Sequence, residues 1–323
     1  MEYLKNPLLN TVNPFYHGNK FDKGRFFNDY ERIHPSRMDF IKHGLSRNPQ
    51  RKEKKNSSWK IDLVESRVFI ETKEDVLMWL GHSSFFLRMD GISILIDPVF
   101  FNLPFYKRKV KIPYKIEDFK NIDYILVSHN HRDHMDLGTL KILVKNNPQA
   151  IILTGLKNGL TLRKIKNAKI QEAGWYQQYI TDKLIKIIYT PAIHWSRRYL
   201  WDMNRALWGG FFIVSSNTSL YFAGDTKMGK HFHDIKNIFG NPDFSLFPIG
   251  TYKPEYIMSA SHINPEEAYE AYKILGGKYF VPMHYGTYDL SNEPLEEPLK
   301  KIKKIFNKSS NLIAPYVGEP IFL

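Results

Sequence analysis

Residues 124–134 read Tyr124-Ile125-Leu126-Val127-Ser128-His129-Asn130-His131-Arg132-Asp133-His134. Four apolar, strand-forming residues run straight into a loop that carries four metal-ligand types in six positions: His129, His131, Asp133 and His134. A strand end that opens into a loop is where layered α/β proteins place their sites. His129 and His131 are two apart, so an extended backbone points both to one side. Asp133 and His134 are adjacent and diverge unless the chain turns between them. A turn there lets one pair serve one ion and the other pair a second. Imidazole and carboxylate donors suit zinc, iron or manganese. The chain has no cysteine, which excludes thiolate ligands, disulfides and cysteine nucleophiles. A buried cluster of this kind without an ion leaves several polar groups unsatisfied.

The same pattern, an apolar strand and then a ligand type, recurs three times. His194 follows Thr190-Pro191-Ala192-Ile193, Asp225 follows Tyr221-Phe222-Ala223-Gly224, and His284 follows Phe280-Val281-Pro282-Met283. Further strands are expected at 76–80, 85–89, 92–96, 150–153, 184–189, 210–214, 219–222, 244–247 and 279–281. Asp90-Gly91 between two of them is a hairpin signal. Helices are expected at 137–146, 265–275 and 298–307, the second opened by Asn264 as N-cap with Glu266 and Glu267 in its first turn. Strands that cluster first and then alternate with helices predict two sheets with helices outside, a four-layer α/β sandwich.

The chain has 323 residues, 43% of them hydrophobic and 15% aromatic, enough for a large core. It has no apolar run long enough for a secretory leader or a membrane span, and a soluble cytoplasmic protein is expected. The formal charge is +13, and residues 1–60 hold 13 basic against 6 acidic side chains. Such an excess attracts anionic partners or simply solvates a surface, and the second reading is preferred. Residues 1–60 are expected to form an irregular basic extension that packs on a main domain of residues 61–323. One helix is expected near Tyr30–His43 and a linker over Pro49–Ser58.

Several motifs carry a resemblance. They are Trp79-Leu80-Gly81-His82-Ser83-Ser84-Phe85, Leu95-Ile96-Asp97-Pro98-Val99-Phe100, His194-Trp195-Ser196-Arg197-Arg198, Asn204-Arg205-Ala206-Leu207-Trp208-Gly209-Gly210 and His262-Ile263-Asn264-Pro265-Glu266-Glu267. With the His-x-His-x-Asp-His loop, they resemble the metallo-β-lactamase superfamily, in the branch of N-acyl-phosphatidylethanolamine phospholipase D and its bacterial relatives. The resemblance spans about residues 75–295. It implies an αββα sandwich and two divalent ions, zinc first with manganese or iron(II) as substitutes. One ion is expected on His129, His131 and His194, a second on Asp133, His134 and His284, with Asp225 between them. Asp133 and His262 are the expected catalytic residues, and a hydroxide shared by the ions is the expected nucleophile. His82 stands evenly between a packed and a catalytic role. Asp97 and Asp136 read as supporting carboxylates.

The expected reaction is phosphodiester hydrolysis on a small or lipid-like anionic substrate, with Arg132 and Arg197 as candidate contacts. A lactonase or ester hydrolase with the same two-ion site is the main alternative. Nucleic-acid binding through residues 1–60 ranks lower, because no aromatic-basic module is present there. Peripheral membrane contact through Phe15, Tyr16, Phe26 and Phe27 is a further expectation. Arg132 stands where relatives often carry Tyr. The loop of residues 100–110, with Lys107, Arg108 and Lys109, also departs from the family and is expected to line the substrate entrance.

Overall fold

The computed structural model describes residues 1–30, 35–66, 71–182 and 184–323. Four short strands come first: β1 (Glu2–Leu4), β2 (Asn10–Thr11), β3 (Asn19–Asp22) and β4 (Arg25–Phe26). Six more follow: β5 (Val76–Gly81), β6 (Ser84–Met89), β7 (Ile92–Ile96), β8 (Tyr124–Val127), β9 (Ile151–Gly155) and β10 (Lys169–Ala173). The remaining strands are β11 (Gln177–Gln178), β12 (Lys186–Thr190), β13 (Gly210–Val214), β14 (Ser219–Phe222), β15 (Phe244–Pro248), β16 (Tyr279–Met283) and β17 (Pro320–Phe322).

They form two large mixed sheets, ordered β10-β9-β8-β7-β6-β5-β17 and β16-β15-β14-β13-β12-β11-β2, beside a small sheet β1-β3-β4. Both large sheets follow one plan. β5, β6 and β7 are antiparallel, and β7 to β10 continue in parallel. β12, β13 and β14 are antiparallel, and β14 to β16 continue in parallel. Hence β12, β14 and β16 run the same way, and the loops after their C-terminal ends open on one side. His194, Asp225 and His284 lie in those loops.

The packing explains why β5 is apolar without a break. Leu77 and Trp79 enter a core shared with Ile187, Tyr189, Phe211 and Phe222 of the second sheet. Val76, Met78 and Leu80 join Leu140, Leu143 and Val144 of the helix Leu137–Asn146. A strand covered on both faces needs side chains of one kind throughout. Each such fully buried side chain contributes about 1.5–3 kcal/mol. The helices His231–Phe239, Pro265–Leu275 and Glu297–Phe306 bury Ile235, Ala268, Ala271, Leu275 and Ile302 in the core that lines the second sheet. The layers are helix, sheet, sheet, helix.

Local signals set the element ends. Asp90 (φ 49°) and Gly91 (φ 78°) both take the left-handed conformation that a tight hairpin turn requires. Asp136 caps Leu137–Asn146 by accepting from the N–H groups of Gly138 and Thr139, so its carboxylate holds a helix end. Asn264 and Glu267 form a reciprocal capping box on Pro265–Leu275.

The described part of the first 60 residues is more ordered than its composition predicts. β2 extends the second sheet by pairing with β11, and Phe26 is fully buried. The expected linker at Pro49–Ser58 contains the helix Arg51–Asn56. That helix buries no residue of its own; Lys54 pins it by pairing with Asp289 and donating to the carbonyl of Ser291. The helix expected near Tyr30–His43 is found at Arg37–Leu45, capped by Ser36, and positions 31–34 of that expectation lie outside the described residues.

Candidate metal centre

Strand β8 ends at Val127, and the loop beyond it is held from below by one buried carboxylate. Asp97 accepts from the backbone N–H and the hydroxyl of Ser128, at 2.7 and 2.6 Å, and faces His134 Nδ1 at 2.7 Å. The single hydroxyl proton of Ser128 is thereby used, so Ser128 Oγ accepts from His129 Nδ1 at 2.9 Å. His194 Nδ1 donates to the carbonyl of Ser261 at 2.9 Å, and His284 Nδ1 lies 3.3 Å from Thr251 Oγ1. A proton fixed on the outer nitrogen leaves the inner one as a bare lone pair.

Those inner atoms converge. His131 Nδ1 lies 2.8 Å from His129 Nε2 and 3.2 Å from His194 Nε2. Asp225 Oδ2 lies 3.7 Å from His194 Nε2 and 4.0 Å from His129 Nε2. The same oxygen lies 3.2 Å from both His134 Nε2 and His284 Nε2. Asp133 Oδ2 lies 3.6 Å from His134 Nε2 and 3.5 Å from His284 Nε2. Two four-residue groups result, His129-His131-His194-Asp225 and His82-Asp133-His134-His284, each with its ligand atoms within 4.8 Å of one another. The seven ligand candidates named from the sequence therefore meet at one place.

The residues present fit divalent cations. His134 Nε2, His284 Nε2 and Asp225 Oδ1 are buried and without a hydrogen-bond partner among the described residues. Lone pairs of His129 and His131 that face at 2.8 Å repel unless a cation or proton lies between them. Burial, first of all, holds His129 and His194 well below the usual histidine range and His131 down at about 4. Burial also lowers His134 and His284, but the Asp225 and Asp133 carboxylates outweigh it and raise His284 to about 9. Burial raises Asp133 and Asp225, and the facing histidines hold both well below the carboxylate range. The His/Asp groups are consistent with a two-ion site built from nitrogen and oxygen donors.

The other sequence candidates take distinct places. His262 forms a third group with Asp225 and His284; its Nδ1 lies 3.9 Å from Asp225 Oδ2, and 11% of its side chain stays exposed. Arg132 and Arg197 are exposed at the rim. Arg132 lies 6.0 Å from the Tyr199 ring, and Arg197 lies 5.5 Å from the Trp195 ring, itself 4.5 Å from His131. Arg198 instead turns inward and donates to the carbonyls of Asn130 and Met135, bracing the histidine loop. Arg108 is not a free cation of the entrance. Its guanidinium donates to the carbonyls of Leu80, Val99 and Val110 and ties its loop to the end of β5. Sequence reasoning missed Ser261 and Thr251, whose contacts to the histidines leave no signature in residue type.

Residues 93–285 match the beta-lactamase superfamily domain. The chain is 32% identical over 250 residues to N-acyl-phosphatidylethanolamine-hydrolyzing phospholipase D 1 of Caenorhabditis elegans, covering 72% of this chain and 70% of the relative. It is 36% identical over 239 residues to the mitochondrial enzyme of that name from Saccharomyces cerevisiae, covering 70% of this chain and 51% of the relative. The match thus spans about half the length of the yeast protein. A solved metallo hydrolase from the archaeon Ignicoccus hospitalis is similar at a TM-score of 0.59 and 25% identity, covering 77% of this chain and 98% of the other. With its two mixed sheets flanked by helices and its converging His/Asp groups, the chain belongs to the metallo-β-lactamase superfamily of metal-dependent hydrolases.

Proposed function

We propose that the chain is a two-ion phosphodiesterase acting on a lipid-like or other organic phosphodiester. The carrying observation is the position of Asp225 Oδ2, 3.2 Å from the Nε2 atoms of both His134 and His284 and 3.7 Å from that of His194. One carboxylate oxygen sits at the seam of two ligand groups. His129, His131 and His194 would hold one ion and Asp133, His134 and His284 the other, with Asp225 placed to serve both. Zinc is the first expectation, with manganese or iron(II) as substitutes. When bound, such a pair lowers the pKa of the water between them and polarises the scissile bond.

The chain's own residues supply the rest. Asp133 turns Oδ2 toward His134 and His284, and its second oxygen is the candidate to orient the attacking water. His262 stands 5.2 Å, ring to ring, from His194 and 5.5 Å from His284, over both groups. From there it orients the substrate phosphate or gives a proton to the leaving oxygen. Arg132 and Arg197 at the rim, with Lys164 5.0 Å from the Tyr199 ring, provide charge for an anionic diester. A neutral lactone or ester has no use for them in its ground state, and this favours the phosphodiester. Exposed Leu200 and Trp201 adjoin that rim, Trp201 stacked on Tyr199 at 5.3 Å, which suits an acyl chain or a bilayer edge. Among the described residues no helix is long and apolar enough to cross a membrane.

The test is a substrate panel: N-acylated phosphatidylethanolamine in vesicles, a soluble aryl phosphodiester, lactones, carboxylic esters and RNA. Chelation is expected to stop turnover and zinc or manganese to restore it. Phosphodiesters are expected to turn over fastest. Preferred lactone or ester turnover replaces the proposal with the alternative hydrolase, and full activity in metal-free protein removes both.

A further inference from the structure

His82 lies outside the 93–285 stretch that matches the family domain, yet it stands in the second ligand group. It occupies the bend between β5 and β6 with φ 54°, a left-handed conformation that a non-glycine residue keeps only when neighbours hold it there. Three hydrogen bonds hold it there. The His82 N–H donates to Thr287 Oγ1 at 2.6 Å, and its carbonyl accepts from the His284 N–H at 3.0 Å and from Trp79 Nε1 at 2.8 Å. The bend is thus bound to the very loop that carries His284. The ring is 1% exposed, and its Nε2 lies 3.0 Å from Asp133 Oδ2.

Two roles fit a histidine in this place: a further ion ligand, or a donor that positions Asp133. The inner contact separates them. The outer nitrogen does not decide alone: His129, His134, His194 and His284 each have a polar atom facing Nδ1, but His131 Nε2 is as bare as His82 Nδ1. His82 Nε2, 3.0 Å from Asp133 Oδ2, comes closer to a carboxylate than the inner nitrogen of His134, His194 or His284 comes to Asp133 or Asp225. His82 Nδ1 is buried with no partner among the described residues. If Nε2 gave its lone pair to an ion, the proton would sit on Nδ1 as a buried N–H with no acceptor. With the proton on Nε2, the N–H meets Asp133 Oδ2 at hydrogen-bond distance, and only a weak acceptor is left unpaired.

We infer that His82 is a positioning residue: its Nε2–H donates to Asp133 Oδ2 and fixes the plane of that carboxylate, and His82 itself binds no ion. His82 would occupy one lone pair of Oδ2, and the same oxygen lies 3.6 and 3.5 Å from His134 Nε2 and His284 Nε2, so Asp133 would offer the second ion that one oxygen. This rests on the two-ion reading but makes a claim of its own, because the first group does not touch His82.

The experiment measures stepwise zinc dissociation constants by chelator competition, with metal content by elemental analysis, for the wild type, His82→Asn and His82→Gln. Asn tolerates the left-handed bend but is too short to reach Asp133, so it keeps the fold and removes the donor. Gln places an amide N–H where Nε2 stands. His82→Asn is expected to weaken the second ion by about 10–100-fold with the first unchanged, and His82→Gln to stay within a few-fold of the wild type. Equal loss in both variants means ligation or packing and overturns the assignment. Wild-type affinity in His82→Asn overturns it as well. A wild-type chain that takes up one ion per molecule removes the two-ion reading itself, a result visible before any variant is made.

Discussion

The His129-His131-His194 group and the Asp133-His134-His284 group share Asp225 but are built on different principles. The first consists of imidazoles backed by neutral atoms, Ser128 Oγ behind His129 and the Ser261 carbonyl behind His194. The second contains a carboxylate, and its His134 is backed by the fully buried Asp97. A carboxylate behind a ligating imidazole makes it a stronger donor. The second half-site therefore carries more negative charge and depends more on its surroundings. The first can be assembled from strand ends and neutral contacts.

His262 offers the sharpest test of what the halves have in common. It faces both groups, and its Nδ1 is turned to the shared Asp225. His262→Ala is expected to keep two ions per chain and lose about 100- to 10,000-fold in turnover, as for a positioned proton donor. Metal analysis beside single-turnover rates checks this. Loss of an ion in that variant would make His262 a ligand and add a third member to the comparison.

Asp97 tests the difference between the halves. It reaches His134 directly and His129 only through Ser128. Asp97→Asn is expected to weaken zinc by about 10–100-fold, with the larger share at the second half-site. Stepwise zinc titration reads the two constants separately. Equal losses would mean that the buried charge supports the loop as a whole.

Much of the site was legible in the sequence because it obeys local rules. Four ligand types in six positions after Tyr124–Val127, and three more strands that end on His194, Asp225 and His284, need no tertiary knowledge to notice. The helices Leu137–Asn146 and Pro265–Leu275 announce their ends through Asp136 and Asn264. What stayed hidden depends on distant partners. Arg51–Asn56 has no apolar face, and its anchor, Lys54 to Asp289, spans more than 200 residues. β2 and β11 are two-residue strands held by the edge of a sheet, too short for any alternation to show. Arg108 looks like a surface cation until three backbone carbonyls are seen around it. His82 could be noticed but not assigned, because its role is set by an acceptor present at one ring nitrogen and absent at the other.

The smallest effect concerns a histidine one step behind the cluster. Thr226, next to Asp225, accepts the Ile193 N–H at 3.0 Å and lies 3.1 Å from His231 Nε2, so His231 underpins the joint between the His194 and Asp225 loops. Burial pushes His231 down from 6.5 to about 3. The folded chain keeps this ring neutral where the unfolded chain protonates it. Below pH 6.5 the unfolded state therefore binds one more proton, and stability falls with pH until the folded ring also protonates near pH 3. The slope from this residue is at most about 1.4 kcal/mol per pH unit. His231→Gln keeps a donor for Thr226 but cannot titrate. Urea unfolding of chelated wild type and variant between pH 4 and 6 is expected to differ in slope by about one proton, with the variant shallower. Chelation keeps ion release out of the comparison, and the ligand histidines contribute equally to both chains. Identical slopes would mean that His231 is protonated in the folded state and that the Asp225 loop rests on a positive charge, the opposite of the carboxylate that Asp97 places behind His134.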